Sequence, residues 1–229
     1  MRPSTPERKT TMKNWITLPE QFNGLRRARI NRAVQNYEAN KTAFVGLEGK
    51  MLHGQGGEHI KKLVYGTHSL EWCGCELIAV ANTMLLTGRD VQLPEIIYEF
   101  ELNRMHKFVS SGYFGTSPKV LGRYYDFHGY PYKTFNTAAA TDEFLADKNK
   151  VCGVLGFWIA EKTGNFFKDM LFFTKGLHTV AFEKKYDKIY VYNRYNSVTG
   201  ARQYDSISDV IGTRRLIVAY VLEDGTKSL

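Results

Sequence analysis

The feature that most constrains this chain is an apolar run, ELIAVANTMLLTG, at residues 76–88. Leu, Ile, Val, Ala and Met recur at helical spacing on one face and on the face beside it, and Gly88 supplies a stop signal. A helix that is apolar on most sides must be buried among other elements. The run therefore predicts a central helix around which the rest of the chain folds.

The remaining patterns change from helical to strand-like along the chain. Further helices are predicted from Pro94 to about Asn103, from Ser117 to Gly129, and in a short segment capped by Thr141. Later segments read as strands: an apolar run at 151–159, an alternating pair at 177–193 around a Lys-Lys-Tyr-Asp turn, and a run at 214–222. Helices followed by strands predict an α+β fold rather than alternating βαβ units.

The positive charge is concentrated near the N-terminus. Residues 1–62 carry 12 Lys and Arg against 5 Asp and Glu, whereas the rest of the chain carries 19 against 18. We therefore predict a basic extension over 1–62, ending in a glycine-rich linker at 46–59, and a main domain over 63–229. Because the main domain is nearly neutral, nucleic-acid binding is not its expected function.

Within the extension, LRRARINRAVQNYEANK predicts a basic amphipathic helix. Its apolar stripe is predicted to contain Leu25, Ile30, Val34 and Tyr37. Such a helix is suited to RNA, an anionic membrane or an acidic partner, and equally to packing on the domain with its charges solvated.

Composition narrows the compartment. Three cysteines are too few for a disulfide framework and favour a reducing environment, so a cytoplasmic location is expected. No apolar stretch reaches the roughly 20 residues of a membrane span, and the first residues lack the apolar block of a signal peptide.

Two cysteines, Cys73 and Cys75, lie where the central helix begins. The N-terminus of a helix carries partial positive charge and free backbone N–H groups, which lower a thiol pKa and stabilise a developing oxyanion. Cys75 is thus a candidate nucleophile, although a buried cysteine also serves simply as a small apolar side chain. Zinc binding is not expected, because only one residue separates the two cysteines and the histidines are scattered.

The predicted hairpin at 177–193 brings a histidine and an asparagine together. A turn centred on Lys185 and Tyr186 places His178 opposite Asn193, and a shifted turn places Asn193 opposite Val180, diagonal to the histidine. In both registers the Asn193 side-chain oxygen is predicted to accept the imidazole Nδ1–H, leaving Nε2 for a nucleophile.

A cysteine opening a buried helix, followed by an antiparallel sheet with a histidine and then an asparagine, resembles the papain-like cysteine peptidase superfamily. The segments GCELIAVAN, GLHTVAF and KIYVYN are similar to the bacteriocin-leader peptidase family, which cleaves after double-glycine leaders, and to related bacterial proteins with a Gly-Cys-Glu motif. The resemblance covers about residues 63–222. It implies a papain-like fold with a Cys75, His178 and Asn193 triad.

The chain departs from that family pattern at two points. The family places an oxyanion-hole glutamine about six residues before the nucleophile, whereas this position is Ser69 here. Ser69 is the candidate donor, with His68 and Thr67 before it as alternatives. Cys73-Gly74 also fits the commoner Cys-Gly motif, so Cys73 is an alternative nucleophile. Glu76, beside Cys75, opposes thiolate formation by its charge.

The resemblance implies a cysteine peptidase or related amide hydrolase that forms a thioester on Cys75, acts on a peptide or protein, and needs no cofactor or metal. Acyl transfer and deamidation use the same thioester with a different acceptor. A catalytically degenerate peptide-binding module is a further alternative, favoured by the missing glutamine and by Glu76.

Overall fold

The computed structural model describes residues 23–103, 115–161, 163–165 and 176–222, so the first 22 residues of the predicted extension lie outside it. Within these residues the helices are α1 (Asn23–Phe44), α2 (Glu58–Lys61), α3 (Leu70–Cys73), α4 (Cys75–Leu86), α5 (Leu93–Leu102), α6 (Leu121–His128), α7 (Ala138–Leu145) and α8 (Ile207–Ile211). A 3₁₀ turn, Pro118–Val120, leads into α6.

Six of the strands in the described part form one antiparallel sheet. They are β3 (Tyr132–Phe135), β4 (Lys150–Glu161), β5 (Leu177–Lys185), β6 (Lys188–Tyr192), β7 (Arg202–Tyr204) and β8 (Arg214–Leu222), in the order β3-β8-β4-β5-β6-β7. A separate small hairpin pairs β1 (Val64–Tyr65) with β2 (His68–Ser69). The α+β prediction is confirmed at this level, although α2, α3, α8, β3, β7 and the β1–β2 hairpin were not predicted.

The central helix is buried as predicted. Every side chain of α4 from Cys75 to Met84 is buried. On the α4 side of the sheet, Val154 and Ala181 join the core cluster that contains the helix. Neighbouring strand residues such as Leu155 and Val180 face the other way, into a second cluster with α7 and α8. The sheet thus separates two apolar layers, as strand alternation requires.

Helix α1 packs against α5, but its most buried side chains are not those of the predicted stripe. Its buried side chains include Ala33, Asn40 and Phe44, whereas Val34 is 43% exposed. Tyr37 of the predicted stripe does meet α5, where its ring lies 5.1 Å from that of Tyr98. The offset arises at Asn40, which is buried because its amide hydrogen-bonds the Val64 backbone. The side chain of Leu25 lies outside the described residues.

The glycine-rich segment at 46–59 is part of the core rather than a free linker. Leu52 is buried in the same cluster as α4. The Asn82 side chain accepts a hydrogen bond from the Leu52 N–H (2.8 Å) and donates to its carbonyl (2.9 Å). Asn40 holds Val64 in the same way. The predicted boundary at residue 62 therefore runs through one continuous core.

Two local predictions are corrected by the hydrogen bonds. The β5–β6 ladder pairs Lys185 with Lys188, so the shifted register is the observed one and the register centred on Lys185 and Tyr186 is wrong. Helix α7 is capped by Thr137, whose hydroxyl accepts from the Ala140 N–H. Thr141 is instead a buried interior residue that bonds back to the Thr137 carbonyl.

Candidate active site

Cys75 is the first residue of α4, as the sequence predicts. Gly74 separates it from α3 and serves both as the end of α3 and as the N-cap of α4. A Cβ at Gly74 would lie 2.2 Å from Cγ of Leu70 and 2.6 Å from its carbonyl oxygen, so only glycine fits between the two helices. The Cys-Gly-Cys sequence is therefore a tight junction that places Cys75 at the N-terminus of a buried helix.

The Cys75 thiol is buried and protonated. Its side chain is 8% exposed, and Sγ donates a hydrogen bond to Oε2 of Glu76 at 3.2 Å. Burial raises the pKa of Cys75 well above its ordinary value, and the Glu76 charge raises it further. Backbone hydrogen bonds from Thr179 and Glu76 act in the opposite direction. The Cys75 side chain is thus a thiol, with two backbone donors available to a thiolate.

Glu76 connects the start of α4 to β5. Its other oxygen, Oε1, accepts a hydrogen bond from the Thr179 hydroxyl at 3.1 Å. The carboxyl is almost completely buried, and this burial raises the pKa of Glu76 to about 7. Near neutral pH its charge therefore changes within hydrogen-bonding distance of the Cys75 sulfur.

His178 lies near the start of β5 and carries a neutral imidazole. Its Nε2 lies 2.7 Å from the backbone carbonyl oxygen of Asn193, so Nε2 holds the proton and donates it. Burial lowers the pKa of His178 to about 4. The ring meets Phe157 edge-on, with centroids 6.0 Å apart. This tautomer leaves Nδ1 as the unprotonated nitrogen.

Asn193 contacts His178, but through its backbone rather than its side chain as predicted. The residue follows the last residue of β6 and has a left-handed backbone, φ 58°. Its side-chain oxygen accepts the Gln55 N–H at 2.9 Å, and its Nδ2 lies 3.4 Å from Gln55 Oε1. The side-chain amide is therefore engaged elsewhere, and the predicted roles of the two imidazole nitrogens are exchanged.

Cys75 lies against Thr179 of β5, the residue that follows His178, but the Cys75 thiol and the His178 imidazole do not share a hydrogen bond. Thr179 points toward α4, where it bonds Glu76. His178 precedes it in the strand and so points to the other face, where it meets Phe157. The thiol and the imidazole thus belong to two separate hydrogen-bond networks in this form of the protein.

The Ser69 side chain does not act as an oxyanion donor in this form. Its hydroxyl caps α3 by accepting the Glu71 N–H at 3.2 Å, and it donates to the Lys61 carbonyl at 3.0 Å. The alternative nucleophile, Cys73, directs its sulfur to the Ser69 carbonyl at 3.5 Å. Burial raises the pKa of Cys73 to about 12. Neither residue lies at the junction with β5.

Gln55, a buried amide in the glycine-rich segment, was not among the predicted site residues. Its Nε2 donates to the carbonyls of Leu70 (3.0 Å) and Glu71 (2.7 Å), and its backbone and side chain both bond Asn193. The sequence GQGG places one amide side chain among glycines, which is the feature that indicates Gln55, but the segment was interpreted as a linker.

A surface cavity of about 220 Å³ opens beside the His178 ring. Arg194 and Arg214 are among its lining residues, together with Phe157, Ile159 and Tyr195. The Arg194 guanidinium lies 5.0 Å from the centroid of the Phe157 ring. The imidazole is therefore reachable from solvent on this side, whereas Cys75 does not line the cavity.

No helix in the described part of the chain combines the length and apolar character needed to cross a membrane. In the same residues, no group of three or more His, Cys, Asp and Glu side chains is arranged to hold a metal ion. No protein-family model matches the chain, and no curated protein matches it.

Proposed function

We propose that the chain is a papain-like cysteine peptidase or a related amide hydrolase acting on peptides or proteins. The observation that carries this proposal is the packing of the α4 N-terminus against the start of β5. There Cys75 and Glu76 lie against Thr179, the chain neighbour of His178. A thiol at a helix N-terminus and an imidazole on the neighbouring residue of the strand are the two groups that thioester chemistry uses, although in this form they lie on opposite faces of β5.

The described form corresponds to a resting state. For attack, the Cys75 thiol leaves Glu76 and passes its proton to Nδ1 of His178, which requires the imidazole to move to the α4 side of β5, because the two groups begin on opposite faces of the strand. The sulfur then bonds to the scissile carbonyl carbon, the carbon–nitrogen bond breaks, and the leaving amine takes the imidazole proton. Water hydrolyses the thioester and restores the thiol.

Backbone groups support this sequence of steps. The N–H groups of Glu76 and Thr179 favour a Cys75 thiolate, and the helix dipole at the first turn of α4 provides positive potential for an oxyanion. The three cysteines are free, which fits a reducing compartment, and we place the activity in the cytoplasm. The basic N-terminal segment is a proposed contact for an acidic partner.

The proposal is tested by incubating the full chain with a mixture of proteome-derived peptides and identifying products by mass spectrometry. Cleavage is expected for the native chain and for Cys73→Ala, and is expected to be lost in Cys75→Ala. The Cys73 variant is the matched control, because it removes a neighbouring buried thiol. Identical product lists for the native chain and Cys75→Ala would overturn the proposal.

One observation favours a second candidate, a catalytically degenerate peptide-binding module. The Cys75 thiol is held by Glu76, and both burial and the Glu76 charge raise its pKa. Such a module would bind peptides from the same mixture and leave them intact.

Addition of amines to the peptide assay separates hydrolysis from acyl transfer, since an acceptor amine would appear in the product.

A further inference from the structure

We propose that Gln55 is a positioning residue that ties the cysteine-bearing segment to the histidine-bearing segment. The inference rests on the proposed function, because it assigns Gln55 a role toward Cys75 and His178. It concerns a residue that touches neither reacting group and acts through its neighbours.

Gln55 contacts α3, the helix that precedes Cys75. Gln55 Nε2 donates both of its hydrogens, to the carbonyls of Leu70 and Glu71. Helix α3 is joined to Cys75 through Gly74 alone, where a side chain would collide with Leu70. Fixing α3 therefore fixes the start of α4 and the position of the Cys75 sulfur.

Gln55 also contacts Asn193, which is 138 residues away in sequence. The Gln55 backbone N–H and side-chain oxygen both pair with the Asn193 side chain, and each residue is buried, at 4% and 0% exposure. The Asn193 carbonyl in turn accepts the His178 Nε2–H. This acceptor selects the tautomer in which Nδ1 is the free base.

Only glutamine meets both demands at this position. The two α3 carbonyls need a donor and Asn193 Nδ2 needs an acceptor, so glutamate lacks the donor and an aliphatic side chain lacks both. Because Gln55, Asn193 and the bond to the Leu70 carbonyl are buried, losing these bonds leaves unsatisfied polar groups. The site therefore specifies the amide by chemistry as well as by size.

The flanking glycines explain how the segment approaches so closely. A Cβ at Gly54 would lie 2.4 Å from the Val198 carbonyl oxygen, and one at Gly56 would lie 3.1 Å from the Asn196 carbonyl oxygen. The Gly56 N–H donates to that same Asn196 oxygen at 3.0 Å. The GQGG sequence thus holds the glutamine against the turn that follows β6.

The test uses nitrogen-detected NMR of the imidazoles in the full chain, with His178 assigned by comparison with His178→Gln. The native ring is expected as the single Nε2–H tautomer, with a pKa near 4. In Gln55→Ala and Gln55→Glu the tautomers are expected to mix, and the pKa is expected to move toward 6.5. Asn82→Ala is the matched control, because it removes a buried amide holding the same segment at Leu52 without contacting Asn193.

An unchanged His178 tautomer and titration in both Gln55 variants would overturn the inference, and so would an equal change in the Asn82 control. Gln55→Glu keeps the size of the side chain, so it provides a folded comparison if Gln55→Ala unfolds. If both Gln55 variants unfold while the control folds, Gln55 is a stability residue and the inference fails.

The NMR readout needs no turnover, so it remains decisive even if the native chain cleaves nothing. If it does cleave, kcat is expected to fall at least about tenfold in Gln55→Glu, with a smaller change in KM.

Discussion

Replacing Glu76 with glutamine is predicted to increase the reactivity of Cys75 in a pH-dependent way. In the native chain the thiol donates to the Glu76 carboxyl at 3.2 Å, so a thiolate there would face a carboxylate at close range. Glutamine keeps the size and the acceptor oxygen but removes the charge. The substitution therefore isolates the electrostatic effect of Glu76 from its packing.

The size of the effect follows from this distance. Two unit charges separated by 3.2 Å repel by about 1.3 kcal/mol at the dielectric constant of water and about 5 kcal/mol at an effective constant of 20. Since about 1.4 kcal/mol is a factor of ten, the thiolate population should rise at least about tenfold once Glu76 is ionised. The pKa of Glu76 is about 7, so the gain should be small below pH 6 and reach its full size above pH 8.

The assay is the rate of alkylation of Cys75 by iodoacetamide from pH 5 to 9, with peptide mapping to separate Cys75 from Cys73 and Cys152. Glu71→Gln is the control, because it makes the same change of charge on α3 and Glu71 does not contribute to the pKa shift of Cys75. A ratio of variant to native rate that stays near one above pH 8, or that does not change with pH, would refute this account of the Cys75 environment.

Three further predictions concern stability. Asn82→Ala removes the two hydrogen bonds that Asn82 makes to Leu52 in the glycine-rich segment and leaves two buried backbone groups unpaired. The free energy of unfolding in urea should therefore fall by about 3 kcal/mol, and a loss below about 1 kcal/mol would contradict this. Gly153→Ala should lower the free energy of unfolding by about 3 kcal/mol, because the new Cβ would lie 2.0 Å from a backbone oxygen of β8. Gly200→Ala is the control, because its Cβ would have no atom within 4 Å, and it should change the free energy of unfolding by less than about 0.5 kcal/mol. Equal effects of the two substitutions would refute the packing argument. The pKa of His178 is about 4 in the folded chain, so the unfolded chain takes up a proton at this residue first as the pH falls. The free energy of unfolding should therefore decrease between pH 6.5 and 4 by a contribution that the His178→Gln variant lacks. Parallel curves of unfolding free energy against pH for the two proteins would contradict this prediction.

Patterns that depend on local periodicity were readable from the sequence. The apolar run of α4 has no polar face and could only be central, and the strands at 177–193 alternate clearly enough to limit the hairpin to two registers. Cys75 at the start of α4 and His178 near the start of β5 follow directly from these two elements.

Features that depend on tertiary partners were not readable. The buried face of α1 is offset from its apolar stripe, because Asn40 is selected by the backbone it holds rather than by hydrophobicity. The left-handed backbone of Asn193 has no signature in a strand pattern, yet it directs the carbonyl rather than the side chain to His178. The partners of Gln55 lie 15 and 16 positions later, at Leu70 and Glu71, and 138 positions later, at Asn193, and no local pattern indicates them.

The most direct test of the proposed Cys75–His178 chemistry is the rate of covalent labelling by a peptidyl electrophile, followed by intact-mass analysis and peptide mapping. The account predicts one adduct, on Cys75, that is absent in Cys75→Ser and forms at least about tenfold more slowly in His178→Ala. No adduct on Cys75, or an equal rate in the His178→Ala variant, would contradict the assignment of these two residues as nucleophile and base.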